Sequence, residues 1–288
     1  MSDIVELKVS SDELAAGRLS PDRHDRAVKA LKEDGVVVLA DVVSQEAIDI
    51  LRERAFEDIE KLLARKDAPF NWIKGNVQQD PAPFPPFLFR EVLVNDLAIS
   101  VTKAILGAGM RNGFYSGNTA VKSENRQPVH ADEGQLWPNL DVAHPPHSIV
   151  VNLPLVDMGP ENGSTEIWPG THLDTTISVQ LGDIVLPEEK LAKARAIRPP
   201  LQPVVKAGSI VIRDIRMWHA GMPNRTDQPR PMIAMIHSVA WMPVGKVKFG
   251  AGSEPYLSHP DLKWSYEIVE GEVDNVSGVH GYMAETAT

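Results

Sequence analysis

The sequence predicts a mainly β fold with added helices: a jelly roll with N-terminal helices packed on it. Two observations carry this. Helix caps and 3.6-residue periodicity concentrate in roughly the first hundred positions. From Met110 onward, short β-branched runs alternate with Gly, Pro, Asn and Asp turn signals. With no internal repeat, low-complexity tract or linker, one domain over 1–288 is expected. It divides into a helical part and loop (about 15–106), a β core (about 110–242) and a tail (243–288).

Each element has its own signal. Ser20-Pro21-Asp22 opens a helix that carries Ala27 and Leu31 and closes at Gly35. Val36 to Leu39 reads as a buried strand. Ser44 caps a second helix, with Ile48, Leu51, Ala55, Ile59 and Leu62 on one stripe. Ala68 to Phe89 is rich in Pro and Phe and reads as a long irregular loop, because Pro removes donors and fixes φ. Asn95-Asp96 caps a third helix running to Leu106. Strands are expected at Met110–Lys122, Val129–Asp132, Ser148–Val156, Thr165–Trp168, Val204–Lys206, Ser209–Asp214 and Arg230–Trp241. A helix at Pro187–Ala196 interrupts them. Trp264-Ser265-Tyr266 is expected to pack as a closing tail.

Composition narrows the partners. A net charge of −10 and a pI near 5.4 argue against nucleic acid and against a membrane surface, which leaves a small molecule. The absence of cysteine excludes disulfides, zinc–thiolate sites, iron–sulfur clusters and thiol nucleophiles. The N-terminus lacks the pattern of a signal peptide, and the C-terminal Ala-Glu-Thr-Ala-Thr matches no peroxisomal or retention tail. A cytoplasmic location is expected, and the Asn-x-Ser/Thr triplets at Asn162, Asn224 and Asn275 are then chance. A homodimer is compatible with the sequence.

The chemistry concentrates in His130-Ala131-Asp132 and in His219, 89 positions later. Two imidazoles and one carboxylate are the ligand set of non-haem Fe(II) oxygenases, which leaves metal positions open. Residues two apart on a strand face the same way, so His130 and Asp132 point together and His219 must come from another strand. His-x-Asp alone is a common tripeptide, and a zinc hydrolase or a non-catalytic metal-binding barrel can use the same ligands. Arg230 begins an apolar strand beyond the turn that follows His219. A hairpin would set it alongside the strand ending near His219, where a buried guanidinium needs an anion and fits a carboxylate bidentately.

From about Val36 to Met242 the chain resembles the phytanoyl-CoA dioxygenase family of Fe(II)/2-oxoglutarate oxygenases. The resemblance rests on His130-Ala131-Asp132, on Pro160-Glu161-Asn162-Gly163-Ser164-Thr165 with Pro169-Gly170-Thr171-His172, and on Trp218-His219 followed by Arg230. It implies a cupin-like double-stranded β-helix with His130, Asp132 and His219 as iron ligands. It also implies that Arg230, eleven residues after His219, holds the C5 carboxylate of 2-oxoglutarate, with Gln127 and Thr165 nearby. A straight strand would turn Gln127 away from His130, so its role needs a kink at Pro128. The implied cofactors are Fe(II), 2-oxoglutarate and O2, and the implied products are succinate, CO2 and a substrate hydroxylated, desaturated or cyclised. Asp132 argues against halogenation, because halogenases of this kind lack the carboxylate ligand.

For the substrate wall the Pro-rich segment offers Phe70, Trp72, Asn76, Gln78 and Gln79, a mixture of aromatic surface and amides suited to a small-molecule pocket. Trp137 and Trp218 flank the ligands; one is expected to line the pocket and the other to pack. A secondary-metabolite substrate is favoured over an acyl-CoA, since no basic cluster awaits the CoA phosphates. Gly107 to Gly113 reads as a helix end and turn, His144 and His147 as loop residues, and His237 as a core histidine. Met222, Met232 and Met235 read as core filler.

Overall fold

The computed structural model describes residues 4–182, 184–271 and 273–278. Met1 to Asp3 and the Ala-Glu-Thr-Ala-Thr terminus lie outside them. The N-terminal half contains β1 (Glu6–Lys8), α1 (Ser11–Ala16), α2 (Pro21–Glu33), β2 (Val36–Ala40), α3 (Gln45–Leu63), β3 (Asn76–Gln78), α4 (Arg90–Leu93) and α5 (Asp96–Leu106). The core follows with β4 (Met110–Ala120), β5 (Ser148–Pro154), β6 (Glu166–Ile167), α6 (Glu188–Ile197), β7 (Ile210–Asp214), β8 (His219–Ala220) and β9 (Arg230–Ser238). The tail adds β10 (Val247–Gly250), α7 (Glu254–Leu257), β11 (Leu262–Trp264) and β12 (Tyr266–Val269). No helix among the described residues is long and apolar enough to cross a membrane.

Local chemistry accounts for the helix starts. The Ser44 hydroxyl accepts from the Ala47 amide, and the Asn95 side chain accepts from the Ala98 amide. Ser20 departs from expectation. Its hydroxyl caps nothing, and the Glu13 carboxylate instead holds the Ser20 N–H at 2.9 Å. Gly35 follows α2 with φ +78, and a Cβ there would come within 2.6 Å of the buried His172 ring.

The major sheet runs β1-β2-β7-β5-β9-β4-β11, antiparallel except for the parallel pairs β1–β2 and β4–β11. Its two faces follow strand parity. Val37 and Leu39 (β2), Ile149, Val151 and Leu153 (β5), Ile210 and Ile212 (β7) and Ile233 and Met235 (β9) face the helices. There they share one core with Ala27 and Leu31 (α2), Ile48 and Leu51 (α3) and Leu97 and Val101 (α5). The alternate residues Val36, Val38, Val211 and Met232 face inward against Met158, Ile167, Val205 and Met217.

Opposite that inner face lies a second layer of very short pairings. His130 bridges Val185 on one side and His219 on the other, His219 pairs with Ile167, and Ile167 bridges Leu201. This is the double-stranded β-helix. The strand expected at Val129–Asp132 is reduced to the bridge at His130, and the one at Val204–Lys206 to a bridge from Val205 to Met158.

One region corrects the sequence reading. The Pro-rich segment is not wholly irregular: β3 pairs antiparallel with the end of β4, and Phe70 packs with Ile59, Leu62 and Val77. The tail packs onto the fold, as expected. β11 pairs with β4, and Trp264 joins Tyr115 and Phe249 in an aromatic cluster while its indole N–H reaches the Leu93 carbonyl.

His237 joins α5 to β9 through Thr102, with Nδ1 3.0 Å from the hydroxyl oxygen. Burial, with a smaller push from His259, holds its imidazole down at about 3. An unfolded histidine titrates near ~6.5, so below that pH the unfolded chain takes up a proton that the folded chain refuses. This contribution to stability is complete above pH ~6.5 and falls as pH drops toward 3, by up to ~1.4 kcal/mol per pH unit. His237→Gln is expected to flatten the decline in melting temperature between neutral pH and about pH 5. Parallel curves for the two proteins would remove His237 from the account.

Candidate active site

His130, Asp132 and His219 converge between the two layers, with ligand atoms all within 4.8 Å of one another. The backbones of His130 and His219 exchange both amide hydrogen bonds, at 3.0 and 2.8 Å, which sets their rings 4.3 Å apart. Nδ1 of His130 lies 2.9 Å from the Pro128 carbonyl, and Nδ1 of His219 lies 3.1 Å from the Met217 carbonyl. A carbonyl can only accept, so each Nδ1 carries the proton and each Nε2 presents a lone pair. Those Nε2 atoms stand 3.9 Å (His130) and 3.4 Å (His219) from Asp132 Oδ1. Metal bonds of about 2.0–2.2 Å put adjacent donors on the order of 3 Å apart, so a modest contraction closes the set on one ion. Nitrogen and oxygen donors without thiolate suit Fe(II).

The electrostatics match. Burial, with neighbouring His219, pushes the His130 imidazole down to about 4, so it is neutral and able to ligate. Burial alone would raise the Asp132 carboxyl, but His219 and the Arg213 guanidinium outweigh it and hold the acid well below its usual range. The side chain of Asp132 is 37% accessible, and it lines the cavity. Arg213 is a residue the sequence reading missed. The signal was present, because Arg213 and Val211 share strand parity and a charged group inside an apolar strand needs a partner.

Arg230 does not lie beside the His219 strand, as a hairpin would require. β8 pairs with β6, whereas β9 pairs with β4 and β5 and sets Arg230 opposite Ala120. Arg230 and His219 therefore belong to opposite layers and both line the cavity between them. Arg230 is 2% exposed. One terminal nitrogen donates to the Gly163 carbonyl at 2.9 Å, while Nε and the other terminal nitrogen have no partner among the described residues. Burial pulls this guanidinium down to about 10. A buried fork with two free donors fits a carboxylate.

Thr165 and Gln127 also line this cavity. The Gln127 side chain accepts from the Gly221 amide at 2.7 Å and donates to the Asn71 carbonyl at 3.1 Å, tying the Pro-rich segment to the turn after β8. A Cβ at residue 221 would come within 2.6 Å of that side-chain oxygen, so a larger residue there would push the Gln127 amide aside.

The cavity measures about 270 Å³. Of the wall residues expected from sequence, Trp72 and Gln78 line it. Phe70, Asn76, Gln79 and Trp137 do not. Phe70 packs under α3. Asn76 is buried in the β3–β4 pairing. Gln79 is engaged by the Ala55 carbonyl and the Thr119 hydroxyl, and Trp137 is 51% exposed against His144. Trp218 packs against Trp168, so neither flanking tryptophan forms the wall. Phe114, Asn118 and Asn152 join the lining from β4 and β5, unmarked in the sequence because their facing shows only in the paired sheet, and Ile184 joins it from the segment before α6. Trp72 lies with its ring 4.3 Å from His130 and adopts φ +69, a strained backbone for an aromatic residue. His147 sits in a loop, as expected, but is buried and pairs with the cavity-lining Glu133 at 2.5 Å.

A family model described as phytanoyl-CoA dioxygenase matches residues 31–232. Dioxygenase af480 of Aspergillus fumigatus is 28% identical over 222 residues, covering 74% of this chain and 66% of that protein, just under two thirds of its length. Among solved structures, EctD from S. alaskensis with 2-oxoglutarate and 5-hydroxyectoine superposes with a TM-score of 0.59 at 17% identity, covering 94% of this chain and 93% of that one. SnoK, a non-heme alpha ketoglutarate dependent carbocyclase from nogalamycin biosynthesis, gives 0.56 at 20% identity, covering 77% and 85%. At these identities the structural likeness is one of fold. Fe(II), 2-oxoglutarate and O2, the cofactors the family implies, fit the donor set and the unpaired guanidinium described above. The matched segment includes all three donors and Arg230, and the chain belongs to the phytanoyl-CoA dioxygenase family.

Proposed function

We propose that the protein is an Fe(II)/2-oxoglutarate-dependent dioxygenase that hydroxylates, desaturates or cyclises a small organic substrate of the secondary-metabolite kind, releasing succinate and CO2. The observation that carries this is Arg230, a buried guanidinium with two unpaired donors on the same cavity as two histidines and an aspartate. A hydrolytic metal site needs no second anion anchor; a dicarboxylate cosubstrate does. When bound, iron and 2-oxoglutarate supply O2 activation and the oxidation of a substrate C–H bond.

The chain's own residues do the rest. His130, Asp132 and His219 hold the metal, and Arg230 binds the far carboxylate with Thr165 beside it. Gln127 fixes the turn after β8 through Gly221. Trp72, Phe114 and Ile184 keep water from the reacting end, while Gln78, Asn118 and Asn152 offer hydrogen bonds to the substrate. About 270 Å³ must accommodate the cosubstrate and the reacting part of the substrate, which favours a small molecule. The lining contains no lysine, and its two arginines face Asp132 and Gly163, leaving no basic cluster for CoA phosphates. SnoK, a carbocyclase of nogalamycin biosynthesis, and EctD with 5-hydroxyectoine are consistent with small substrates on this fold.

The test is spectroscopic. Adding 2-oxoglutarate to the Fe(II)-loaded protein without oxygen is expected to produce a weak visible charge-transfer band, and admitting air with a substrate panel should yield succinate. A protein that gives neither is not an oxygenase of this kind.

A further inference from the structure

The two oxygens of Asp132 have different surroundings. Oδ1 faces the Nε2 atoms of His219 and His130, at 3.4 and 3.9 Å. Oδ2 accepts a hydrogen bond of 2.6 Å from a terminal nitrogen of Arg213. The other terminal nitrogen of Arg213 lies 3.4 Å from Nδ1 of His219, whose proton already points at the Met217 carbonyl. Asp132 itself sits in a bend just past the His130 bridge, so no strand pairing fixes its side chain. Arg213 by contrast is anchored. It lies on β7 between Val36 of β2 and Val150 of β5 and is 6% exposed, so its guanidinium has little freedom to swing away. The other acid on the cavity, Glu133, is taken by His147.

A carboxylate with one oxygen committed to an arginine has one oxygen left for a metal. That difference matters for a site with three protein ligands. One-oxygen ligation leaves three positions of an octahedron, enough for a two-point cosubstrate and O2, whereas two-oxygen ligation leaves two. We infer that Arg213 is a positioning residue that restricts Asp132 to one-oxygen metal ligation and so keeps open the coordination position that 2-oxoglutarate needs. Arg213 acts through Asp132 and touches no reacting atom. The inference rests on the metal-site reading above.

X-ray absorption at the iron edge tests it on Fe(II)-loaded protein without 2-oxoglutarate, because a two-oxygen carboxylate brings its carbon closer to iron. Wild type is expected to show one-oxygen ligation, Arg213→Met the two-oxygen signature, and Arg213→Lys the wild-type signature. In anaerobic titrations, Arg213→Met should need at least ~10-fold more 2-oxoglutarate to reach half of the visible band, the scale of losing a contact that orients a ligand. Arg213→Lys should recover most of that. A one-oxygen signature in Arg213→Met overturns the inference even if 2-oxoglutarate binding weakens, since Arg213 would then act directly on the cosubstrate. Two-oxygen ligation in wild type overturns it without any variant having to fold. A wild type that takes up no iron overturns the metal-site reading as well, so the two failures are distinguishable.

Discussion

Arg230→Ala is expected to raise the 2-oxoglutarate concentration for half-saturation by at least ~30-fold while leaving iron bound. Truncating one side of a buried, hydrogen-bonded charge pair costs about 2–5 kcal/mol, and each ~1.4 kcal/mol is tenfold in affinity. Arg230 is not among the converging metal donors, so metal content should stay near wild type. The same residue carries a second expectation, opposite in sign. Without a bound anion the guanidinium is buried with two donors unpaired, which costs stability. Arg230→Met fills similar volume without the charge, so the ligand-free variant is expected to melt at or above the wild-type temperature, by up to roughly 1–4 kcal/mol in stability. It should then gain far less from added 2-oxoglutarate than wild type does. The sign with pH follows from burial, which lowers this group to about 10. Below that pH both folded and unfolded chains are protonated, so the penalty is full and flat across neutral pH. It eases only as pH rises through about 10 toward the ordinary value. Melting curves of both proteins with and without 2-oxoglutarate, in the presence of Mn(II), check the pair of expectations. A ligand-free Arg230→Met that melts well below wild type would mean the guanidinium is not left waiting for an anion.

Much of this site was readable in the sequence, and where the reading failed the cause was pairing at long range. His130 and Asp132 were expected to share a strand face. In fact only His130 is paired, and Asp132 reaches the same side from a bend, held by Arg213. The right convergence was reached through the wrong element. Arg230 was expected beside His219 on a hairpin; the chain instead crosses from the minor layer to the major sheet, and the two residues face each other across the cavity. Nothing local distinguishes those routes, because both begin with the same polar turn. The Pro-rich segment shows the limit most clearly. Its prolines exclude a central strand, but Asn76 to Gln78 lies between them and adds to the end of β4, which fixes Trp72 over His130 and buries Asn76 and Gln79. Composition identified the segment that meets the cavity. It could not say which side chains turn inward, since that depends on a partner strand some forty residues away.

Asp132→Ala and His219→Ala are each expected to lose iron and turnover together, but for different structural costs. Removing one of three ligands should weaken iron binding by more than the about 10–100-fold that follows from losing a supporting contact. For His219 the fold should survive, because the bridge that seats it is made by backbone atoms at 3.0 and 2.8 Å and does not need the imidazole. Asp132 has a second task. Its removal strips Arg213 of the carboxylate it pairs with at 2.6 Å and leaves a guanidinium on the cavity wall. Water in the cavity can replace part of that pairing. The stability loss of metal-free Asp132→Ala should therefore fall between the ~0–1 kcal/mol of a screened pair and the ~3–5 kcal/mol of a fully buried one. Metal-free His219→Ala should melt closer to wild type than metal-free Asp132→Ala does. Iron content after desalting, succinate formation and metal-free melting temperature separate the ligand role from the pairing role. Turnover retained in both variants would remove these residues as ligands. Equal melting temperatures would instead leave the ligands in place and show that solvent serves Arg213 as well as Asp132 does.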